Sequence, residues 1–170
     1  MTVPIDFGVN VEGQTVGRHW PMPVFSESHI HEETLTLDTS GAYAAGDTLA
    51  DLFSVPMPAW PVAILHEVYV LDEDDQGAAF DLLFFLTKPT VSNKNAAWNT
   101  TDAEMRSCRG YARITSGDWV DLSVNRVAEV SNLARFIPVP ATRLLWVGTV
   151  SQGAGTYTAN GLRVKLGFMR

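Results

Sequence analysis

The stretch that decides the fold is residues 80–87, with the sequence FDLLFFLT. Successive side chains of a β-strand point to opposite faces, so Leu82 and Phe84 would share one face and Leu83 and Phe85 the other. A strand that is apolar on both faces is typical of the interior of a packed sheet. The stretch therefore predicts a β-sheet core in which this strand has neighbours on both sides.

Further short runs with two-residue alternation flank this strand and end at Gly, Asn or Asp. The clearest is residues 62–71, VAILHEVYVL, in which β-branched and aromatic residues favour a strand over a helix. The sequence also predicts strands at residues 111–115, 119–124, 144–151 and 162–168, with the first two paired as one hairpin and the last two as another. Seven to nine strands at this spacing predict an all-β fold, a β-sandwich or barrel, which we take as a jelly-roll-like β-sandwich.

Two other segments carry local signals. Residues 46–53 are ambiguous, because Asp47 could cap a helix there, and we interpret them as a strand. Residues 101–104, TDAE, have capping-box spacing, in which the Thr101 hydroxyl and the Glu104 carboxylate each bond a free backbone N–H at a helix start. The sequence therefore predicts one short helix at this position.

The first thirty residues differ in composition from the rest, because Pro and Gly occur too often for a regular element. We predict an extended N-terminal arm at residues 1–30 and a single β-sandwich domain at residues 31–170. A poorly ordered terminus is the alternative. An arm that cannot bury its own apolar groups docks on the same subunit or on a neighbour. The side chains that we expect to dock in this way are Phe7, Trp20, Met22 and Phe25.

The charges are divided unevenly along the 170 residues. Up to Phe85 there are fourteen Asp and Glu and one basic residue, Arg18, whereas five acids and eleven bases follow, so the two parts carry −13 and +6 and sum to −7. Affinity for nucleic acid grows with the number of Lys and Arg contacts to phosphate, so this balance argues against a nucleic-acid partner. No run approaches the ~20 apolar residues of a membrane span and no signal-peptide pattern is present, so we expect a cytosolic origin without a membrane anchor.

The pair His29 and His31 would point both imidazoles to the same side of a strand, as in metal-binding cupins. Those barrels place a Glu four or five positions beyond the second His, where this chain has Leu35 and Thr36. A metal site would need His66 or another residue brought in by the fold. We favour two solvated imidazoles on an edge strand and keep a cupin-like metal-binding enzyme as an alternative.

The acidic run at residues 72–75 matches the first half of a calcium-binding loop. The closing position of such a loop needs a bidentate Glu, and here it is Leu83. We therefore interpret the run as a solvated hairpin tip, with weak cation binding by Asp72, Asp74 and Asp75 as the alternative.

Patterns for covalent or cofactor chemistry do not occur in the sequence. Cys108 is alone and predicts neither an internal disulfide nor a cysteine-rich zinc site. No Gly-x-Ser-x-Gly elbow and no phosphate-binding glycine pattern is present. We predict no catalytic residue, no cofactor and no enzymatic activity.

The remaining signals point to contacts between proteins. Trp60 and Trp98, like Trp20, lie in Pro- or Asn-rich loop sequence, and large amphipathic rings of this kind are typical of interfaces. Arg outnumbers Lys nine to three, and Arg is favoured in interfaces and in bidentate pairing. The arginines that we expect at subunit contacts are Arg106, Arg109, Arg113, Arg126, Arg135 and Arg143.

Several motifs occur in a fixed order between residue 35 and residue 170. They are Tyr43 followed by Gly46-Asp47, the acidic run 72–75, FDLLFF at 80–85, GTYTA at 155–159 and LRVKLGF at 162–168. This order resembles that of small structural proteins of tailed bacteriophages, the capsid decoration, cement or head-fibre proteins. The resemblance rests on β-core and turn positions.

The resemblance implies a β-sandwich or jelly-roll subunit on the outside of an icosahedral capsid, commonly a homotrimer, with the major capsid protein as partner. It implies a virion structural protein that is assembled in the host cytoplasm and stabilises the capsid by bridging major capsid protein subunits. No family catalytic residue exists to carry over. A phage tail or host-recognition structural protein is the first alternative, and the cupin-like enzyme is the second.

Overall fold

Two antiparallel β-sheets packed face to face form the body of the protein. The computed structural model describes the backbone of residues 9–11 and 14–16 and the whole of residues 27–170. Two short strands, β1 (Val9–Val11) and β2 (Gln14–Val16), pair with each other. The strands of the two large sheets are β3 (Ser28–Leu35), β4 (Phe53–Pro56), β5 (Val62–Asp72), β6 (Phe80–Phe85), β7 (Cys108–Ile114), β8 (Trp119–Asp121), β9 (Arg126–Val130), β10 (Arg135–Pro138), β11 (Leu144–Ser151) and β12 (Leu162–Met169).

The strand order is that of a jelly roll. One sheet has the order β3-β12-β5-β9-β8, with β10 also paired to β5, and the other has the order β4-β11-β6-β7. Strands β9 and β10 lie end to end along β5, because β9 pairs with residues 68–72 and β10 with residues 62–65. The chain changes sheet at most of its connections, as in a double-sheet jelly roll. The predicted all-β, jelly-roll-like sandwich is confirmed.

The core lies between the inner faces of the two sheets. Phe80, Leu82 and Phe84 of β6 are at most 1 % exposed and pack against inner side chains of β5 and β12 such as Val68 and Leu166. Burial of each large apolar side chain of this kind contributes about 1.5–3 kcal/mol. Strand β6 lies between β11 and β7, which confirms the interior position predicted for the stretch FDLLFFLT.

Both predicted hairpins are wrong, although the strands themselves exist. Strand β7 pairs with β6 and β8 pairs with β9, so the chain leaves one sheet for the other at the turn of residues 115–118. Likewise β11 pairs with β4 and β6, whereas β12 pairs with β3 and β5. A short polar connection suits a crossover between sheets as well as a hairpin, so alternation alone does not define the partner.

Residues 46–53 are not the continuous strand that we predicted. Isolated bridges join Asp47 to Ala97 and Thr48 to Val150, and strand β4 begins at Phe53. These residues and the loop of residues 87–98 lie over the outer side of the four-stranded sheet. Trp98 stacks on Phe85 there, with ring centroids 6.4 Å apart. The chain therefore covers this sheet at β6 and β11 with its own loops, whereas Tyr111 on β7 is 47 % exposed.

The predicted helix is confirmed as α1 (Asp102–Met105). The hydroxyl of Thr101 accepts a hydrogen bond from the Glu104 backbone N–H, and the Glu104 carboxylate accepts from the N–H of Thr101 at 3.0 Å and of Thr90 at 2.8 Å. The Thr101 hydroxyl also donates to the Glu104 carboxylate at 2.7 Å, and this bond, followed by the two backbone bonds, lowers the pKa of Glu104 to about 2. No helix in the described part of the chain is long and apolar enough to cross a membrane.

The segment before residue 30 contains more regular structure than the sequence indicated. Strands β1 and β2 lie within it, and β3 begins at Ser28. The predicted anchors Phe7, Trp20, Met22 and Phe25 lie outside the described residues. The division into arm and domain stays a prediction.

The contact between Trp98 and β11 gives a test of the loop layer. A Cβ added at Gly148 would overlap the Trp98 ring, so Gly148→Ala should displace this ring and lower the free energy of unfolding by about 1–3 kcal/mol. Denaturant unfolding followed by tryptophan fluorescence measures both effects. Gly117→Ala is the control, because the nearest atom to its new Cβ is 3.7 Å away. Equal stability of the two variants would contradict the packing of Trp98 on Gly148.

The capping box predicts a specific pH dependence. Because the pKa of Glu104 falls from 4.5 to about 2 on folding, its contribution to stability is complete above pH 4.5 and is lost as the pH falls toward 2. Glu104→Gln should therefore lower the melting temperature at neutral pH, and the difference from wild type should shrink between pH 4.5 and 2. Asp102→Asn in the same turn, whose carboxylate makes none of these bonds, should show no such trend.

Candidate interaction surfaces

A run of carboxylates crosses from β5 to β6, and we call residues 72–77 the acidic crossover. Asp72 is fully buried, and its carboxylate accepts hydrogen bonds from the backbone N–H of Asp74 at 3.0 Å and of Gly77 at 2.7 Å. Burial raises the pKa of Asp72, and these backbone bonds oppose the shift. Burial also raises the pKa of the neighbouring Tyr157, and the charges of Asp72 and Asp74 add to that increase. Asp72 therefore shapes the crossover from inside the protein.

The other carboxylates of the acidic crossover bind separate parts of the chain. Asp74 accepts hydrogen bonds from the backbone N–H of Thr158 at 2.7 Å and from its hydroxyl at 3.0 Å. Asp75 accepts from Nε of Arg126 at 2.7 Å. Glu73 pairs with Arg163 at 2.9 Å. The crossover is thus attached to the loop before β12, to β9 and to β12.

The predicted solvated hairpin tip is wrong, because the run joins two different sheets and its first carboxylate is buried. The alternative of weak cation binding by Asp72, Asp74 and Asp75 stays a prediction. A cation there would compete with the donors that these carboxylates already have, the N–H of Gly77, the N–H of Thr158 and Nε of Arg126. Among the described residues, no three His, Cys, Asp or Glu side chains come together in a way that could hold a metal ion.

The two histidines of β3 are not the solvated imidazoles that we predicted. Strand β3 is an edge strand, but both rings are half-buried and face the other sheet. His29 packs against Trp60 and Phe168, and His31 stacks on Phe53 with centroids 6.2 Å apart. Nε2 of His29 has no hydrogen-bond partner within the described part of the chain. The rings therefore serve as packing groups at this edge of the sandwich.

Two of the tryptophans predicted as interface anchors, Trp60 and Trp98, pack within the described part of the chain. Trp60 is 7 % exposed, and its Nε1 donates a hydrogen bond to the Glu27 carboxylate at 2.8 Å. Trp98 is half-buried on Phe85. Neither ring is free to insert into a partner without leaving these contacts.

The predicted interface arginines separate into two groups. Arg113 makes a bidentate ion pair with Asp81, at 2.7 and 2.8 Å, and Arg126 pairs with Asp75 and lies 3.6 Å from Asp121. These carboxylates raise the pKa of both guanidinium groups. The arginines that have no carboxylate partner among the described residues are Arg106, Arg109, Arg135 and Arg143.

The acidic and basic parts of the sequence interleave in the structure. Of the seven Lys or Arg ion pairs among the described residues, six join an acid before residue 86 to a base after it. The exception is the pair of Arg126 with Asp121. Among the described residues, acids of the first part and bases of the second therefore pair locally rather than forming two oppositely charged halves, and the whole sequence keeps a net charge of −7.

The outer side of the six-stranded sheet is different from that of the four-stranded sheet, and we call it the open face. Four large apolar side chains are exposed on it: Ile30 by 66 %, Val62 by 39 %, Val120 by 58 % and Phe136 by 69 %. The sequence does not predict the exposure of these residues, because alternation shows that a strand has two faces but not which face other segments cover.

A hollow of about 270 Å³ lies on the open face. It is lined by Ile30, Glu67, Tyr69, Glu129 and Lys165. Nζ of Lys165 lies 3.5 Å from the Glu32 carboxylate and 5.8 Å from the centre of the Tyr69 ring. Glu67 and Glu129 have no basic partner among the described residues. The open face thus combines exposed apolar side chains with two unpaired carboxylates.

No protein-family model matches the chain, and no curated protein matches its sequence. A comparison with solved structures finds similarity to a chain of the full particle of Israeli acute paralysis virus heated to 63 degrees. The TM-score is 0.34 and the sequence identity 10 %, with 99 % of this chain and 79 % of that chain covered. A likeness at this TM-score does not bear on the activity or the partners of this protein.

The buried position of Asp72 predicts its effect on stability. Asp72→Ala leaves the buried N–H of Gly77 without an acceptor and should lower the free energy of unfolding by about 1–3 kcal/mol. Asp75→Ala removes an ion pair whose side chains are both about one-third exposed, so it should lower the free energy of unfolding much less than Asp72→Ala does. Urea denaturation of both variants checks the order, and a larger loss for Asp75→Ala would contradict it.

Proposed function

We propose that this protein is a non-enzymatic structural subunit of a virion, which binds the outside of a tailed-phage capsid and stabilises it by bridging major capsid protein subunits. The observation that carries the proposal is the open face. One sheet of the jelly roll is covered by the protein's own loops, whereas the other exposes Ile30, Val120 and Phe136. Exposed apolar side chains grouped on one surface mark a site of association between proteins.

The polar groups of the described residues support a structural role. The buried carboxylates Asp72 and Asp81 are occupied by backbone N–H groups, Arg113 and Gln152 of the same chain. Groups used in this way stabilise connections and strand pairs. The resemblance to phage decoration, cement and head-fibre proteins agrees with this use, since such a subunit resists the pressure of packaged DNA through contact area.

The proposed assembly is a homotrimer on the capsid exterior, formed in the host cytoplasm, with the major capsid protein as second partner. Its contacts include the N-terminal arm and the arginines without internal partners, Arg106, Arg109, Arg135 and Arg143. Arginine is favoured at such contacts because it forms bidentate hydrogen bonds and stacks on aromatic rings.

Purified phage particles provide the test. Quantitative mass spectrometry should find hundreds of copies of this protein per particle, the number expected for a subunit spread over a capsid, and immunogold labelling should place them on the head. A few copies located on the tail would favour the tail or host-recognition alternative and overturn the proposal. Absence from the particle would overturn any virion role.

The open face predicts which substitutions reduce incorporation. Ile30→Glu with Phe136→Glu places two charges among the exposed apolar side chains of this face and should lower the copy number per particle several-fold. The control is Leu122→Glu with Val124→Glu, which changes two exposed apolar side chains of the β8–β9 connection. Equal copy numbers for the two variants would contradict the use of the open face in attachment.

A further inference from the structure

An edge of the sandwich opposite β3 carries aromatic and basic side chains, and we call Arg109, Tyr111 and Arg135 the arginine edge. Strand β7 is the last strand of its sheet, and β10 lies beside it across the two sheets. Tyr111 is 47 % exposed. The guanidinium carbon of Arg135 lies 5.8 Å from the centre of the Tyr111 ring, within the range of a cation–π contact.

The backbone of this edge favours contacts through side chains over the addition of another strand. The register of β6 and β7 shifts so that Phe84 pairs with Gly110 and Phe85 with Cys108, which leaves Arg109 as the extra residue of a bulge. Gly110 has φ +143°, a backbone conformation that residues other than glycine rarely adopt. A charged bulge on an edge strand prevents strand pairing and directs its side chain outward.

The open face and the arginine edge carry opposite charges that the described residues leave unpaired. Glu67 and Glu129 both line the hollow beside Tyr69, and neither makes an ion pair among the described residues, since Lys165 in the same lining pairs with Glu32. Arg109 and Arg135 have no carboxylate partner in the part of the chain that the structure describes. Both surfaces also present apolar or aromatic area. Every copy of the protein therefore carries two surfaces that complement each other in charge and in apolar character.

We propose that the arginine edge of one copy docks on the open face of a second copy, with Arg109 and Arg135 facing Glu67 and Glu129. This inference rests on the proposed structural role and names one contact of its assembly. The charge pairs set the register of the two copies, while Ile30 and Phe136 on the open face are covered by the neighbour. Because the pairs are partly exposed, the association weakens as salt screens them.

Charge reversal tests the contact in solution. Sedimentation velocity of the full chain at about 50 mM salt should show a complex of two or more copies that dissociates at about 500 mM salt. Either Glu67→Arg with Glu129→Arg, or Arg109→Glu with Arg135→Glu, should raise the dissociation constant of self-association by roughly tenfold or more. The variant with all four changes restores opposite charges across the contact and should associate again.

Controls separate the contact from net charge and from misfolding. Glu73→Arg with Asp102→Arg makes the same change of charge as the two glutamate substitutions but outside the hollow. This variant loses the surface ion pair of Glu73 with Arg163 and should associate as the wild type does. Circular dichroism should show the same fold for all variants. A monomeric wild type, reversed variants that associate as wild type, or a fourfold variant that stays monomeric would each overturn the inference. Occupation of the open face by the chain's own N-terminal segment would give the first of these results.

The test is independent of the one for the proposed function. Charge-reversed variants that associate as wild type and bind particles in full number would refute this contact and leave the virion role intact. A wild type that associates through this contact but is absent from particles would refute the virion role alone.

Discussion

The rest of the structure depends on the two apolar faces of strand β6. Its inner side chains, Phe80 and Phe84 among them, require a second sheet, and Phe85 on its outer side requires a further cover. The six-stranded sheet supplies the first, and Trp98 with its loop supplies the second. The long loops of the chain therefore lie on one side of the sandwich. The outer side of the other sheet is left to solvent or to a neighbour.

Connections that change sheet impose a second requirement, because their buried backbone groups need partners. The acidic crossover meets it with Asp72, which accepts two N–H bonds at a position where water does not reach. Asp74 attaches the same crossover to Thr158 in the loop before β12. The carboxylates thus act as cross-links between connections at one end of the jelly roll. A sequence pattern similar to half of a calcium loop has a structural use here.

Local features could be predicted from the sequence and long-range ones could not. The strand at residues 80–85 and the helix capped by Thr101 depend on neighbouring residues, so alternation and a four-residue motif define them. The pairing of β11 and β12 with different sheets depends on contacts far along the chain. The burial of Asp72 and the exposure of Phe136 have the same origin, because each depends on which distant segment covers the position. The open face could therefore not be predicted from the sequence, and the place of Arg109 and Arg135 at a contact stays a prediction.

The interleaved ion pairs have a consequence for synthesis. Strand β12 lies between β3 and β5, so the six-stranded sheet cannot form until residues 162–169 have left the ribosome. Until then Glu27, Glu32 and Glu73 lack the bases that pair with them in the folded protein, Arg170, Lys165 and Arg163. The carboxylates of the first half outnumber the bases already made and repel one another. Repulsion of this kind keeps nascent strands of neighbouring chains apart while their edges are unpaired. The late position of Arg163, Lys165 and Arg170 in the sequence thus leaves Glu73, Glu32 and Glu27 without these partners during the interval before the sandwich can close.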